Sequence, residues 1–202
     1  MIVAYRHAAY DTPWLVNPSR RAGRFHRALD SVTQYLALHP LGPSAEVVTH
    51  AFGHDVAPED VATLRLDLWA VLVDDTGVLR VGFADAADHG IAPDALVGDD
   101  YGTTQAWADS LRAAGVPGVV VPSAALPGTE NLVLFGPRVA HPYLLDPQGS
   151  VEVPTGHLAD AARAPAEVLG VARWPGERHA ALVQWRATGV VVPLADPAPV
   201  GY

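Results

Sequence analysis

The sequence predicts a mixed α/β domain, and three observations carry that expectation. Leu64, Leu66 and Leu68 alternate with Arg65, Asp67 and Trp69, the period-two signature of a half-buried strand. Gly118–Val121 and Asn131–Phe135 are short continuous apolar runs of the buried-strand type. Just ahead of them, Ala106, Trp107, Leu111 and Ala114 recur at helical spacing, which predicts a helix from Thr103 or Thr104 to Ala114, stopped by Gly115.

The remaining elements follow in order. A short strand is expected around Ile2–Tyr5, then an irregular Pro/Trp/Asn segment from Asp11 to Arg21, of the long-loop kind that is often functional. Thr33–Leu38 reads as a strand that Pro40-Leu41-Gly42-Pro43-Ser44 breaks. A helix from Ala45 to Gly53 comes next, with Ser44 as N-cap and Gly53 as stop, so that Glu46 falls in the first turn, where the helix dipole favours a carboxylate. Asp75-Thr76-Gly77 marks a turn before a strand at Val78–Val81, and residues 85 to 100 are polar and broken by Gly and Pro. After Pro147 the pattern predicts a helix near Leu158–Leu169, then strands at Ala180–Arg186 and Val190–Leu194 joined at Thr188-Gly189, and a Pro-rich tail.

Composition bounds the chemistry. With 202 residues, 50% hydrophobic and 17% charged, the chain can bury one substantial core, and a single globular unit is the default. No apolar run reaches the roughly twenty residues that span a bilayer, and Met1-Ile2-Val3-Ala4-Tyr5-Arg6 lacks the basic-then-apolar order of an export signal, so a cytoplasmic protein is expected. The absence of cysteine removes thiol nucleophiles, disulfides and thiolate-ligated zinc. All thirteen basic residues are arginines, so neither a Schiff-base lysine nor a P-loop lysine is available. A formal charge of −9 opposes loose binding to nucleic acid or anionic membranes. Five arginines nevertheless fall in the first 27 residues: Arg6, Arg20, Arg21, Arg24 and Arg27.

Seven stretches stand in an informative order: Tyr5-Arg6, Ala22-Gly23-Arg24-Phe25, Tyr35-Leu36-Ala37, Ala45-Glu46-Val47, Gln105-Ala106-Trp107, Val121-Pro122-Ser123-Ala124, and Asn131. In this order and spacing the first 140 or so residues resemble the RES domain, named for its arginine, glutamate and serine. The resemblance implies a fold similar to the ADP-ribosyltransferase toxins, with a twisted sheet split around an NAD cleft and flanked by helices. It implies degradation of NAD+, by phosphorolysis or by transfer of ADP-ribose, often as the toxin of a pair whose antitoxin is a helix-turn-helix protein of the Xre type. Arg24, Tyr35, Glu46 and Ser123 match the family's active-site residues, and Arg6, Gln105 and Asn131 match in weaker contexts. The family usually reads Gly-Gly-Arg-Trp-Asn where this chain has Ala22-Gly23-Arg24-Phe25-His26, so the asparagine's contact is lost or passes to His26.

These residue types suit the implied reaction. A guanidinium at Arg24 can hold a pyrophosphate bidentately, although a surface salt bridge is the ordinary role of such a residue. Tyr35 can stack on nicotinamide or bond a ribose, or can simply be a core tyrosine. A carboxylate at Glu46 can stabilise a ribose that turns cationic as nicotinamide leaves, or can simply face a helix dipole. Ser123 is expected to bind rather than attack, because Pro122-Ser123-Ala124 is not a hydrolase elbow, and with Asn131 it would hold phosphate or acceptor; both are turn residues by default. Glu46, His50 and His54 recur at i, i+4 and i+8, where a metal could bind, but Gly53 ends the helix before His54, and no metal is expected. The reading is thus a catalytic domain over 1–148 with a C-terminal extension, 149–202, packed on it. Its partners would be NAD+, inorganic phosphate, an antitoxin and conceivably a second copy in a homodimer. The competing reading is an inactive NAD-binding or protein-interaction module on the same fold.

Overall fold

Alternation along the buried runs builds a sheet with two covered faces. In the computed structural model, which describes residues 1–7, 13–15, 17–137 and 155–195 and only the backbone of 155–162, Val119, Val121, Val133 and Phe135 pack into one apolar cluster while Val120, Leu132 and Leu134 pack into another. Neighbouring residues of a strand point to opposite faces, so these two clusters lie on opposite sides of the sheet.

The sheet has seven strands: β1 (Ile2–His7), β2 (Thr33–Ala37), β3 (Arg65–Val73), β4 (Leu79–Arg80), β5 (Gly118–Pro122), β6 (Glu130–Phe135) and β7 (Thr155–Arg163), in the order β4-β5-β6-β2-β1-β3-β7. Among the described residues only β4 and β5 run parallel. The junction in the middle is different from the rest. β2 pairs with β6 through five consecutive residues and β1 with β3 through six, yet β1 and β2 share the single pair Tyr5↔Ala37. The sheet is therefore nearly split into two halves, as the resemblance implies. Gln34, fully buried, bridges the parting with its side chain: its Oε1 accepts from Arg6 at 2.7 Å and from the Leu15 amide at 3.0 Å, while its Nε2 donates to the Leu15 carbonyl at 2.7 Å.

Helices α1 (Gly42–Ala51), α2 (Pro58–Thr63), α3 (Pro93–Val97), α4 (Gly102–Ala113) and α5 (Ala180–Thr188) flank the sheet. Four expectations differ from what the structure shows. The first helix starts at Gly42 after Leu41, with Pro43 in its opening turn where a missing N–H costs nothing; Ser44 makes no cap, and Glu46 sits in the second turn, beyond the reach of the N-terminal dipole. The helix expected near Leu158–Leu169 is instead β7, which pairs with β3 through a bulged register, followed by a short 3-10 helix at Ala166–Gly170. Here pairing with the open edge of β3 outweighs the helical preference of an alanine-rich run. The strand expected at Ala180–Arg186 is α5: Ala181, Leu182 and Trp185 reach one cluster at helical spacing, His179 caps the start by accepting from the Leu182 amide at 3.2 Å, and Gly189 closes the end at φ 74°. Val190–Leu194 forms no strand, and Val190 and Val192 are exposed. Among the described residues no helix is long and apolar enough to cross a membrane.

Candidate active site

The parting between β1 and β2 opens into a cleft of about 450 Å³. Arg6 of β1, Arg24 of the following turn, Tyr35 of β2, Glu46 of α1 and Asn131 of β6 all line it, so five of the seven candidate residues converge there. Ser123 and His26 do not reach it. Ser123 is buried behind the wall formed by Pro122, Ala124 and Ala125; its Oγ accepts from the Leu126 amide at 3.1 Å, which is a turn-forming role. His26 is buried behind Tyr35.

Arg24 is presented by a tight turn whose shape depends on α4. Gly23 and His26 pair across the turn, with Gly23 N donating to the His26 carbonyl at 3.0 Å. Gly23 has to be glycine, since a Cβ there would lie 2.5 Å from the His26 ring and 2.8 Å from the Tyr35 hydroxyl. All four carbonyls of the turn are held by side chains of one helix. Gln105 Nε2 donates to those of Gly23 at 3.0 Å and His26 at 3.2 Å, Thr104 Oγ1 to that of Arg24 at 2.7 Å, and Arg112 to that of Phe25. The Gln105-Ala106-Trp107 match thus marks a residue that shapes the site without lining it. The Arg24 guanidinium donates to the Gly98 carbonyl and lies 4.8 Å above the Tyr101 ring. Burial lowers its pKa from the ordinary value, opposed by the electron-rich Tyr101 and by Glu46.

The Tyr35 hydroxyl is fixed by three groups in line. His26 Nε2 lies 3.0 Å from the Arg21 carbonyl, which can only accept, so Nε2 carries the proton and Nδ1 is left as an acceptor. Tyr35 therefore donates to Nδ1 at 2.8 Å and accepts from the Phe25 amide at 2.9 Å. Burial pushes the Tyr35 pKa well above its ordinary value and lowers that of His26. The tyrosine is a neutral, oriented phenol whose proton is already committed.

Glu46 and Asn131 form a pair across the cleft, with Asn131 Nδ2 donating to Glu46 Oε1 at 3.0 Å. This orientation leaves Asn131 Oδ1 buried and without a partner among the described residues. On its other side Glu46 Oε2 is 3.7 Å from His50 Nδ1, whereas His54 turns to Glu177 at 3.5 Å and stacks on Trp174 at 5.3 Å. The i, i+4, i+8 pattern thus brings no three ligands together, because α1 ends at Ala51. Among the described residues no group of three or more His, Asp or Glu side chains is arranged to hold a metal.

Arg6, half-buried, has only Gln34 as its side-chain partner among the described groups, and desolvation lowers its pKa to about 10. Two further residues on the cleft escaped the sequence reading. Asp99 and Arg173 form a two-pronged pair at 3.0 Å in both bonds. Desolvation raises the Asp99 pKa, but the bonds from Arg173 and the Gly176 amide and the charges of Arg173 and Arg24 outweigh it and hold the carboxyl below its usual range. Both sit on irregular segments, where no periodicity could single them out; the Trp174-Pro175-Gly176 turn after Arg173 is the one local signal.

The chain is 34% identical over 120 residues to a probable NAD(+) phosphorylase of Mycobacterium tuberculosis, a match that covers 59% of this chain and 56% of the relative, so the chain spans little more than half the length of that curated protein. Its fold is similar to a solved chain of the M. tuberculosis MbcT–MbcA toxin–antitoxin complex, with a TM-score of 0.60 and 22% identity over 84% of this chain and 88% of that one. The RES domain matches residues 3–153, three quarters of the length, and the chain belongs to the RES domain family.

Proposed function

We propose that this protein degrades NAD+ by breaking the bond between nicotinamide and ribose, with inorganic phosphate as acceptor. The observation that carries this reading is the convergence of the Arg24 guanidinium, the Tyr35 phenol and the Asn131-held Glu46 carboxylate on one cleft. The similarity to a probable NAD(+) phosphorylase supports it.

The chemistry follows from the leaving group. Nicotinamide in NAD+ is a cationic pyridinium, so when the C1″–N1 bond breaks the electron pair neutralises the ring, and no acid is needed. Positive charge moves to the ribose. Glu46, oriented by Asn131, sits to stabilise that charge; at about 4 Å and an effective dielectric near 20 the attraction is of order 4 kcal/mol. A phosphate oxygen then bonds to C1″, giving ADP-ribose-1″-phosphate and free nicotinamide. Arg24 holds the pyrophosphate. Tyr35, its hydroxyl donating to His26, offers a ribose hydroxyl a lone pair and the nicotinamide end an aromatic wall. Arg6 is the cation left for the acceptor phosphate. Ser123 acts through the backbone turn that sets the cleft wall, and its flanking residues Pro122 and Ala124 touch the substrate in its place.

The segment after residue 163 belongs in this account to the same unit as 1–148, since it delivers Arg173 to the cleft and His179 to the wall. In the cell the protein would act as a toxin held in check by a helix-turn-helix antitoxin, a reading that the similarity to a toxin–antitoxin complex motivates. Purified protein incubated with NAD+ and phosphate should release nicotinamide and produce a new phosphomonoester signal in ³¹P NMR. Release without that signal would replace phosphate by water, and no release from folded protein would remove the enzyme.

A further inference from the structure

The cleft carries a cation that lies outside the family match, which ends at residue 153. Arg173 is 8% exposed, yet it lines the cleft beside Arg24. One short loop, residues 98 to 101, holds both guanidinium groups. Gly98 accepts from Arg24 through its carbonyl, Tyr101 lies beneath Arg24 at 4.8 Å, and Asp99 grips Arg173 with both carboxylate oxygens at 3.0 Å. Two more bonds make the grip rigid: Arg173 Nε donates to the Glu177 carbonyl at 3.0 Å, and the Gly176 amide donates to Asp99 Oδ2 at 2.7 Å.

Like charges on one cleft, Arg173 buried and Arg24 half-buried, oppose each other; the charge of Arg173 is among the influences that lower the Arg24 pKa. Glu46 and Asp99 offset part of this, but Asp99 has both oxygens on Arg173 and Glu46 accepts from Asn131. Among the described residues each guanidinium also keeps free donors. Of five N–H groups, Arg173 uses three in the bonds above and Arg24 one, and both line the cleft where an anion could meet them.

We propose that Arg173 and Arg24 form a diphosphate clamp, each guanidinium taking one phosphate of the pyrophosphate bridge, with Asp99 as the positioning residue for Arg173. The proposal rests on the NAD-splitting reading for its ligand and deepens it, since it makes the enzyme select dinucleotides over nucleosides that lack the bridge. It also explains why the C-terminal segment has to pack against the cleft for the site to be complete.

Calorimetry with ADP and adenosine tests the clamp without any turnover. Wild-type protein should bind ADP much more tightly than adenosine, and Arg173→Gln should weaken ADP by about ten- to a hundredfold with adenosine unchanged. In turnover the same variant should lose kcat/KM for NAD+ but not for nicotinamide riboside. A structural role alone would depress both substrates equally, and that result would overturn the clamp, as would equal ADP affinities or a wild type that ignores ADP. If Arg173→Gln does not fold, Arg173→Lys keeps the charge and loses the fork: several-fold weaker ADP with unchanged adenosine supports the clamp, and unchanged ADP refutes it. Because ADP binding needs no chemistry, absence of nicotinamide release would end the NAD-splitting reading and leave the clamp result to stand or fall by itself.

Discussion

The turn that carries Arg24 and the segment that carries Arg173 both deliver a guanidinium to the same cleft through long-range bonds, but they differ in local shape. The first is a tight turn built on a glycine that admits no side chain, and one helix bonds its four successive carbonyls. The second is irregular and hangs on single partners, Asp99 for Arg173 and the Ser123 carbonyl for His179. A glycine turn leaves a motif in the sequence. A lone pair between two irregular segments leaves almost no trace in the sequence around it.

The comparison predicts that damage near the turn falls on activity, and that damage in the C-terminal segment away from Arg173 falls mainly on stability. The largest effect belongs to the group both regions surround. Glu46→Gln keeps the bond from Asn131 and removes the charge, so nicotinamide release should fall by about a hundred- to a thousandfold with the melting temperature almost unchanged. Next is Gln105→Ala, which frees the carbonyls of Gly23 and His26 without touching the cleft. We expect about a tenfold loss in kcat/KM and about 1 kcal/mol of stability. An unchanged kcat/KM would mean that the turn holds its shape unaided.

Smaller still is the effect of His179→Ala. It removes the cap of α5 and the bond from Nε2 to the Ser123 carbonyl at 2.9 Å, which should cost about 1–2 kcal/mol in denaturant unfolding and leave kcat within about twofold. Loss of activity larger than loss of stability would contradict the division between the regions.

The smallest prediction concerns pH. His7, His26 and His179 are all held below the ordinary imidazole value of 6.5, with burial as the first cause in each. The unfolded chain therefore binds more protons than the fold between the depressed values and 6.5, and stability rises with pH across that window. It should be complete above about pH 6.5 and decline below it. His179→Gln should flatten part of that decline, and a melting temperature that rises as pH falls from 7 to 5 would reverse the sign.

The same contrast explains what was legible beforehand. Buried runs such as Gly118–Val121 and the periodic helix before them were readable because their partners lie on both faces or along one stripe. Ala180–Arg186 was misread as a strand because a run of four apolar residues fits either period, and only the His179 cap and Gly189 decide for a helix. The stretch near Leu158–Leu169 reads as helix by composition, and its first part belongs to a strand because β3 offers an edge. Arg24, Tyr35, Glu46 and Asn131 were visible through their order along the chain. That Ser123 and His26 stand one layer back is a matter of side-chain direction on a turn, which spacing does not encode.

All of this requires these groups to surround one dinucleotide, and a crystal structure of Glu46→Gln soaked with NAD+ would show whether they do. The dinucleotide should lie in the parting between β1 and β2, its nicotinamide ribose within about 4–5 Å of residue 46 and its pyrophosphate against Arg24. NAD+ bound on another face, or lying in the cleft with its nicotinamide end turned away from residue 46, would contradict it.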